Sequence, residues 1–213
     1  MRRCNATVAR AGLGLVAASL VLDCVALVVD VIAGRRIVSG MAMEEVGLEF
    51  GSTISSLANL AVPAAVLVGG LAFVWWFHCA YSTYSMLSVA ARGREARYRP
   101  IWAVVGWLVP ILNLVRPPRI MSDLTGRSRS VTPWWTVWLV AGAIQLALRF
   151  VSPTTQQGWI YWQLSALFAD LLLLISLCFA FLLIDDARRA VARIDRRWLV
   201  GDQVDRAQAM AMA

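Results

Sequence analysis

Four long apolar runs dominate the pattern of the chain: Ala11 to Ala33, Leu57 to Cys79, Trp134 to Val151 and Gln163 to Ile184. At about 1.5 Å rise per residue, helices of these lengths reach about 27–35 Å, enough to cross a hydrocarbon core of about 30 Å. The pattern therefore predicts an all-α, polytopic membrane protein with transmembrane helices over 11–33, 57–79, 134–151 and 163–184. The first run follows a basic segment, 1–10, as a signal peptide would. It is longer than a signal peptide's apolar core of about 7–15 residues and ends in Gly34-Arg35-Arg36, so it is expected to remain as a helix.

A fifth stretch, "PIWAVVGWLVPILNLVRPPRI" from Pro100 to Ile120, is apolar but different in kind. Ile101 to Val115 would span only about 22 Å as a helix, and Pro110 interrupts it by removing a donor and crowding the preceding turn. Arginine placement supplies an independent test, because cytoplasmic loops are enriched in basic residues. All 20 basic side chains are Arg. If 101–115 does not cross, 17 of them lie on the inner side and only Arg35, Arg36 and Arg149 lie outside. If it does cross, the division becomes 8 inside and 12 outside. The segment is therefore expected to be re-entrant or interfacial on the cytoplasmic side. Asn113 would satisfy freed backbone groups there, with Trp102 and Trp107 at headgroup level.

The remaining boundaries follow: cytoplasmic N-terminus 1–10, outer loop 34–56, inner basic helix or loop 80–100, inner basic loop 116–133 and outer turn 152–162. A cytoplasmic amphipathic helix and flexible tail occupy 185–213. In that tail Ala187, Ala190, Val191, Ile194 and Trp198 recur at helical spacing, an apolar stripe expected on the membrane surface. The tryptophans near the span ends, Trp75, Trp76, Trp134, Trp135, Trp138, Trp159 and Trp162, are read with Tyr161 as interfacial anchors.

Composition sharpens the picture. The chain is 60% hydrophobic with mean hydropathy +0.66 and a formal charge of +7. Its arginines flank the spans, so anionic lipid is the expected partner rather than nucleic acid. The candidate lipid-facing basic residues are Arg92, Arg94, Arg97, Arg99, Arg116, Arg119, Arg188, Arg189, Arg193, Arg196 and Arg197. Cys4, Cys24, Cys79 and Cys178 lack metal-ligand spacing and read as small hydrophobes; no metal or other cofactor is implied.

Ionisable groups inside a span are candidates for function, because each costs at least about 2.5–3.5 kcal/mol at mid-depth. The candidate intramembrane polar residues are Asp23, Asp30, His78, Asn113, Arg149 and Asp170. Asp23 and Asp30 are seven apart and share a helix face. Arg149 is expected to snorkel or to pair with Asp30 or Asp170, and His78 to sit at a helix end near the interface. No nucleophile–base spacing, P-loop or dinucleotide fingerprint occurs, so no catalytic residue is assigned.

One block carries a family resemblance. "WWFHCAYSTYSMLSVAARG" leads into "YRPIWAVVGWLVPILNLVRPPRIMSDL", and "WWTVWLV" opens the next span. This order resembles the bacterial integral-membrane family catalogued as domain of unknown function 4328. The matching positions are Trp76, His78, Pro100, Trp102, Gly106, Trp107, Pro110, Asn113, Leu114, Arg116, Pro117, Met121, Trp134 and Trp135. The likeness extends over roughly Leu67 to Trp198; Ser82 to Ser85 depart from it, where the family's helix has an Asn. It implies the membrane fold and location, and no activity.

The expected function is that of a non-enzymatic, multi-pass cell-membrane protein with both termini cytoplasmic. Its basic inner face would bind anionic lipid, a partner protein or a second copy of the chain. The alternatives are a transporter or channel subunit using Asp23, Asp30 and Asp170, and a membrane-embedded enzyme acting on lipid. The threading is directly testable. With the native cysteines removed, Arg119→Cys and Arg129→Cys should both resist an impermeant thiol reagent added outside intact cells, and both should label after lysis. Labelling of either from outside would invert the arrangement.

Overall fold

The computed structural model of the protein describes residues 6–38, 45–92, 96–126 and 128–212; in 33–38, 45–59, 91–92 and 197–212, and at 110 and 156, it describes backbone alone. The described residues form seven α-helices and no strand: α1 (Ala6–Val38), α2 (Glu45–Arg92), α3 (Trp102–Leu108), α4 (Pro110–Asn113), α5 (Arg116–Thr125), α6 (Val131–Leu148) and α7 (Gln156–Met212). Four of them contain stretches long and apolar enough to cross a membrane: Ala6–Ile32, Leu60–Ala90, Val131–Leu148 and Gln157–Arg196. The all-α, four-span reading holds.

The helices outrun the apolar runs that announced them. α2 begins inside the expected outer loop 34–56 and continues to Arg92. α7 begins inside the expected outer turn and runs on through the tail. Polarity changes what a helix faces but does not stop its backbone; only Gly, Pro and caps do that. "HCAYSTYSMLSVAAR" holds neither Gly nor Pro, so α2 continues through it. The expected basic loop 116–133 also contains a helix, α5. Pro117 and Pro118 sit in its first turn, where an N–H needs no partner, and Gly126 ends it in the left-handed region at φ 70°. Its buried residues Pro117, Ile120, Met121, Leu124 and Thr125 keep helical spacing, a pattern masked in the sequence by the prolines and arginines beside it.

The chain divides into two compact units. The first comprises 1–9, 72–132 and 180–213. Its core takes Phe73, Trp76, Phe77 and Tyr81 from α2, Ile120, Met121 and Leu124 from α5, and Leu183, Ile184, Ala187 and Ile194 from α7. Tyr81, fully buried, ties the unit together: its hydroxyl donates to Asp123 Oδ2 at 2.7 Å and accepts from the Tyr98 N–H at 3.1 Å. The tail stripe is thus inside the protein rather than on a membrane surface at Ala187, Ala190 and Ile194; the Trp198 side chain lies outside the described residues.

The broken segment belongs to this unit. α3 and α4 hold 7 and 4 residues, about 10 and 6 Å, so neither crosses a membrane. Val109 is extended between them (φ −95°, ψ 115°), as the residue before a proline prefers. Backbone groups satisfy one another across the break: Val109 N–H to Val105 O, Asn113 N–H to Val109 O and Val115 N–H to Leu112 O, at 3.2, 2.8 and 3.1 Å. The Asn113 Oδ1, expected to serve that role, is buried and accepts no hydrogen bond among the described residues. Gly106 admits α5 closely, since a Cβ there would stand 3.0 Å from Arg116 Cβ.

The second unit comprises 10–71 and 133–179, parts of α1, α2, α6 and α7. Its buried positions mix small residues, Ser19, Ala26, Ala65, Ala141, Ala166, Ala169 and Ser176, with larger ones such as Leu13, Leu20, Leu27, Trp134 and Trp135. Other large apolar side chains face outward, among them Leu60, Leu67, Val21, Ile32, Phe168 and Ile175. That distribution suits helices packed in lipid, where close backbone approach replaces a hydrophobic driving force. α1 and α2 approach closely at Gly69, where a Cβ would overlap Val16 and the Gly12 carbonyl. Its neighbour Gly70 meets nothing within 4 Å. The two glycines should therefore respond in opposite directions. Gly69→Ala should destabilise the protein in detergent by about 1–3 kcal/mol through overpacking. Gly70→Ala should stabilise it by up to about 1 kcal/mol through helix propensity. Thermal unfolding of both variants checks this.

Candidate functional site

The second unit carries a ladder of polar side chains between α1 and α7. Asp23 on α1 and Asp170 on α7 lie with their carboxyl groups within hydrogen-bonding reach of each other. Two turns along, Gln163 Nε2 on α7 donates to Asp30 Oδ2 on α1 at 3.3 Å. The rungs are seven residues apart on each helix, counted in opposite directions, which fixes an antiparallel register. From α6, Gln145 Nε2 donates to Asp170 Oδ1 at 2.9 Å. Asp170 is 1% exposed and Gln163 5%, while Asp23, Asp30 and Gln145 are half-buried. No hydrogen-bond donor among the described residues reaches Asp170 Oδ2 or Gln163 Oε1. Cys24 stands within electrostatic range of both Asp23 and Asp170.

The sequence placed Asp23 and Asp30 on one inward face, and both do meet groups on α7. Of the two roles expected for Arg149, snorkelling or pairing with Asp30 or Asp170, the pairing is not seen. Arg149 is exposed and pairs with neither Asp30 nor Asp170 among the described residues. It lines a cavity of about 400 Å³ with Leu148, Val151, Ser152, Pro153, Trp159 and Trp162. Asp170 and Asp30 instead accept from the amides of Gln145 and Gln163, which offer hydrogen bonds from facing helices but no counter-charge. Neither glutamine stood out in the sequence. The available signal was an amide inside an apolar run, seven residues from Asp170 in the case of Gln163.

His78 is in the first unit and is not at a helix end, since α2 continues fourteen residues past it to Arg92. Its Nδ1 is 3.0 Å from the Pro100 carbonyl, which can only accept, so the ring donates from Nδ1–H. The histidine thus fastens the entry of the broken segment to α2. Trp107 is not a headgroup anchor: its ring meets Phe73 and Phe77 edge-on at 6.1 and 6.5 Å. Trp76, Trp134 and Trp135 are likewise core residues, whereas Trp75 is exposed. Trp162 closes a helix end by donating to the Leu148 carbonyl at 3.1 Å.

The basic candidates separate into two kinds. Arg116 does not face lipid. Its guanidinium lies over the rings of Tyr98 and Trp102, at 4.9 and 5.0 Å, two cation–π contacts of which the second links α5 to α3. Arg97, Arg99, Arg119, Arg188, Arg189, Arg193 and Arg196 are exposed. Arg94 and the side chains of Arg92 and Arg197 lie outside the described residues. Arg188, Arg189, Arg193 and Arg196 line one groove of about 790 Å³ with Thr125, Ser128, Asp185, Asp186 and Ala192. Ser128 Oγ donates to Asp186 Oδ2 at 2.6 Å and so ties the α5–α6 linker to α7. Arg189 reaches Asp186 only at 4.0 Å and is largely exposed, so that pair compensates little charge.

The profile of one family, described as a domain of unknown function (DUF4328), matches residues 39–189. The match begins earlier than the resemblance read from the sequence and ends before Trp198; α1, with Asp23 and Asp30, precedes it. No curated protein and no solved structure matches the chain. Because the matched region covers most of the chain and includes the broken segment and three of the four spanning helices, the protein belongs to the DUF4328 family.

Proposed function

We propose that this is a non-catalytic, multi-pass protein of the bacterial cell membrane, with both termini cytoplasmic, that binds the phosphate of anionic lipid headgroups. The observation that carries this reading is the groove along α7, where four guanidinium groups gather against only two carboxylates. Guanidinium groups bind phosphate oxygens in pairs of parallel hydrogen bonds, and the Ser128 and Thr125 hydroxyls offer further polar contacts at the groove wall. Ala187, Ala190 and Ile194 of the tail are committed to the protein core, so the arginines rather than insertion of that stripe would supply the attraction. Orientation follows from the same residues, since positive loops stay inside.

The test uses the full-length protein in nanodiscs of neutral lipid, doped with increasing phosphatidylglycerol, with protein–lipid energy transfer as the readout. Each arginine near an anionic surface is worth about 1 kcal/mol, so the Arg193→Gln/Arg196→Gln double variant should bind phosphatidylglycerol about 30-fold more weakly. The wild-type interaction should also weaken with salt, as the Debye length contracts towards about 3 Å at 1 M. Equal binding by the double variant, or equal preference for neutral lipid, would refute the reading.

A further inference from the structure

Asp170 raises a question that the headgroup reading leaves unanswered. It is 1% exposed, inside a helix long and apolar enough to cross a membrane, with one carboxyl oxygen bonded to Gln145 and the other without a donor. The group in reach of it is another carboxyl, that of Asp23. Two carboxylates cannot both stay charged at that separation in a medium without water, unless a cation lies between them.

The helices supply no such cation. Residues 11–34 of α1, 131–148 of α6 and 157–187 of α7 contain no Arg, Lys or His. The described α2 side chains of this unit, 60–71, carry no charge either. The remaining titratable neighbours add negative charge or none: Cys24 beside the pair, and Asp30 two turns away, itself held by Gln163. Nor is the site built for a metal ion, since no group of three or more His, Cys, Asp or Glu side chains converges among the described residues.

We infer that Asp23 and Asp170 form a proton-binding site within the spanning helices, one proton bridging a carboxylic acid and a carboxylate across the α1–α7 contact. Each neighbour then has a role. The bridging proton gives Asp170 Oδ2 the partner it otherwise lacks, and the Gln145 amide holds Oδ1 so that Oδ2 faces Asp23. The pair carries a single negative charge with the proton bound and two without it. Binding therefore turns a repulsion between α1 and α7 into a hydrogen bond, and release reverses it. The proton comes from and returns to bulk water, and no other bond changes. Asp23, half-buried, is the more accessible of the two carboxyl groups.

The experiment is infrared spectroscopy of the full-length protein in lipid nanodiscs at neutral pH, with carboxyl-13C aspartate as the label. The expected result is a protonated carboxylic C=O band that shifts with the label and amounts to one acid per chain. It should be lost in Asp170→Asn and kept in Asp30→Asn. Thermal unfolding supplies a readout that needs no intact Asp170 variant. Loss of a shared-proton bond makes Asp23→Ala less stable than wild type, whereas relief of repulsion between two carboxylates would make it more stable. An unlabelled or absent band, a band surviving in Asp170→Asn, a stabilised Asp23→Ala, or a band abolished by sodium or potassium at constant pH would each overturn the proposal. The last outcome would mark a cation site. None of these outcomes bears on lipid binding at the arginine groove, so the two readings stand or fall separately.

Discussion

A peptide group in hydrocarbon has no water to bond, and the architecture follows from that constraint. It requires spanning segments to be helices that close their own hydrogen bonds, and α1, α2, α6 and α7 do so over 18 to 57 residues. It also explains how a proline-broken segment is tolerated. Pro110 has no N–H to satisfy, and the residues on either side bond back to Val105, Val109 and Leu112. The same constraint governs side chains. In the second unit the buried carboxyl groups are met by glutamine amides and by each other, which keeps the polar groups together on the α1–α7 and α6–α7 contacts and leaves the outward surface apolar.

In the first unit, polar and aromatic residues serve packing. Arg116 contacts two rings, Gly106 makes room for it, Tyr81 joins α2 to α5 and the Tyr98 backbone, and His78 fixes Pro100. These are several of the positions through which the chain resembles its family: His78, Pro100, Trp102, Gly106, Trp107 and Arg116. Their roles in the structure are contacts that shape the broken segment around α2 and α5. The family motif thus reads as a folding motif, and the exposed arginines of α7 and the carboxyl pair are where chemistry remains available.

Much of this was legible in the residues themselves. Spans of 18–23 apolar residues require helices of membrane length, and the interruption at Pro110 separates a fifth apolar stretch from them. The seven-residue spacing of Asp23 and Asp30 placed both on one face, because helical geometry is local. Helix ends were less legible: hydropathy reports the environment of a helix, whereas its termination depends on caps, Gly and Pro. α5 was hidden because its apolar positions are interleaved with Pro and Arg.

The sequence by itself determined the class, the number of long apolar helices and the family, since each depends on composition and order along one segment. Only the tertiary structure decided partners. Whether Arg149 or Gln145 meets Asp170, whether Trp107 faces headgroups or Phe73, and whether Arg116 faces lipid or two rings all depend on which helix lies opposite. A helix face can be read from local periodicity, but what it faces is set by close packing between segments far apart in the chain, as where Gly69 admits the backbone of Gly12.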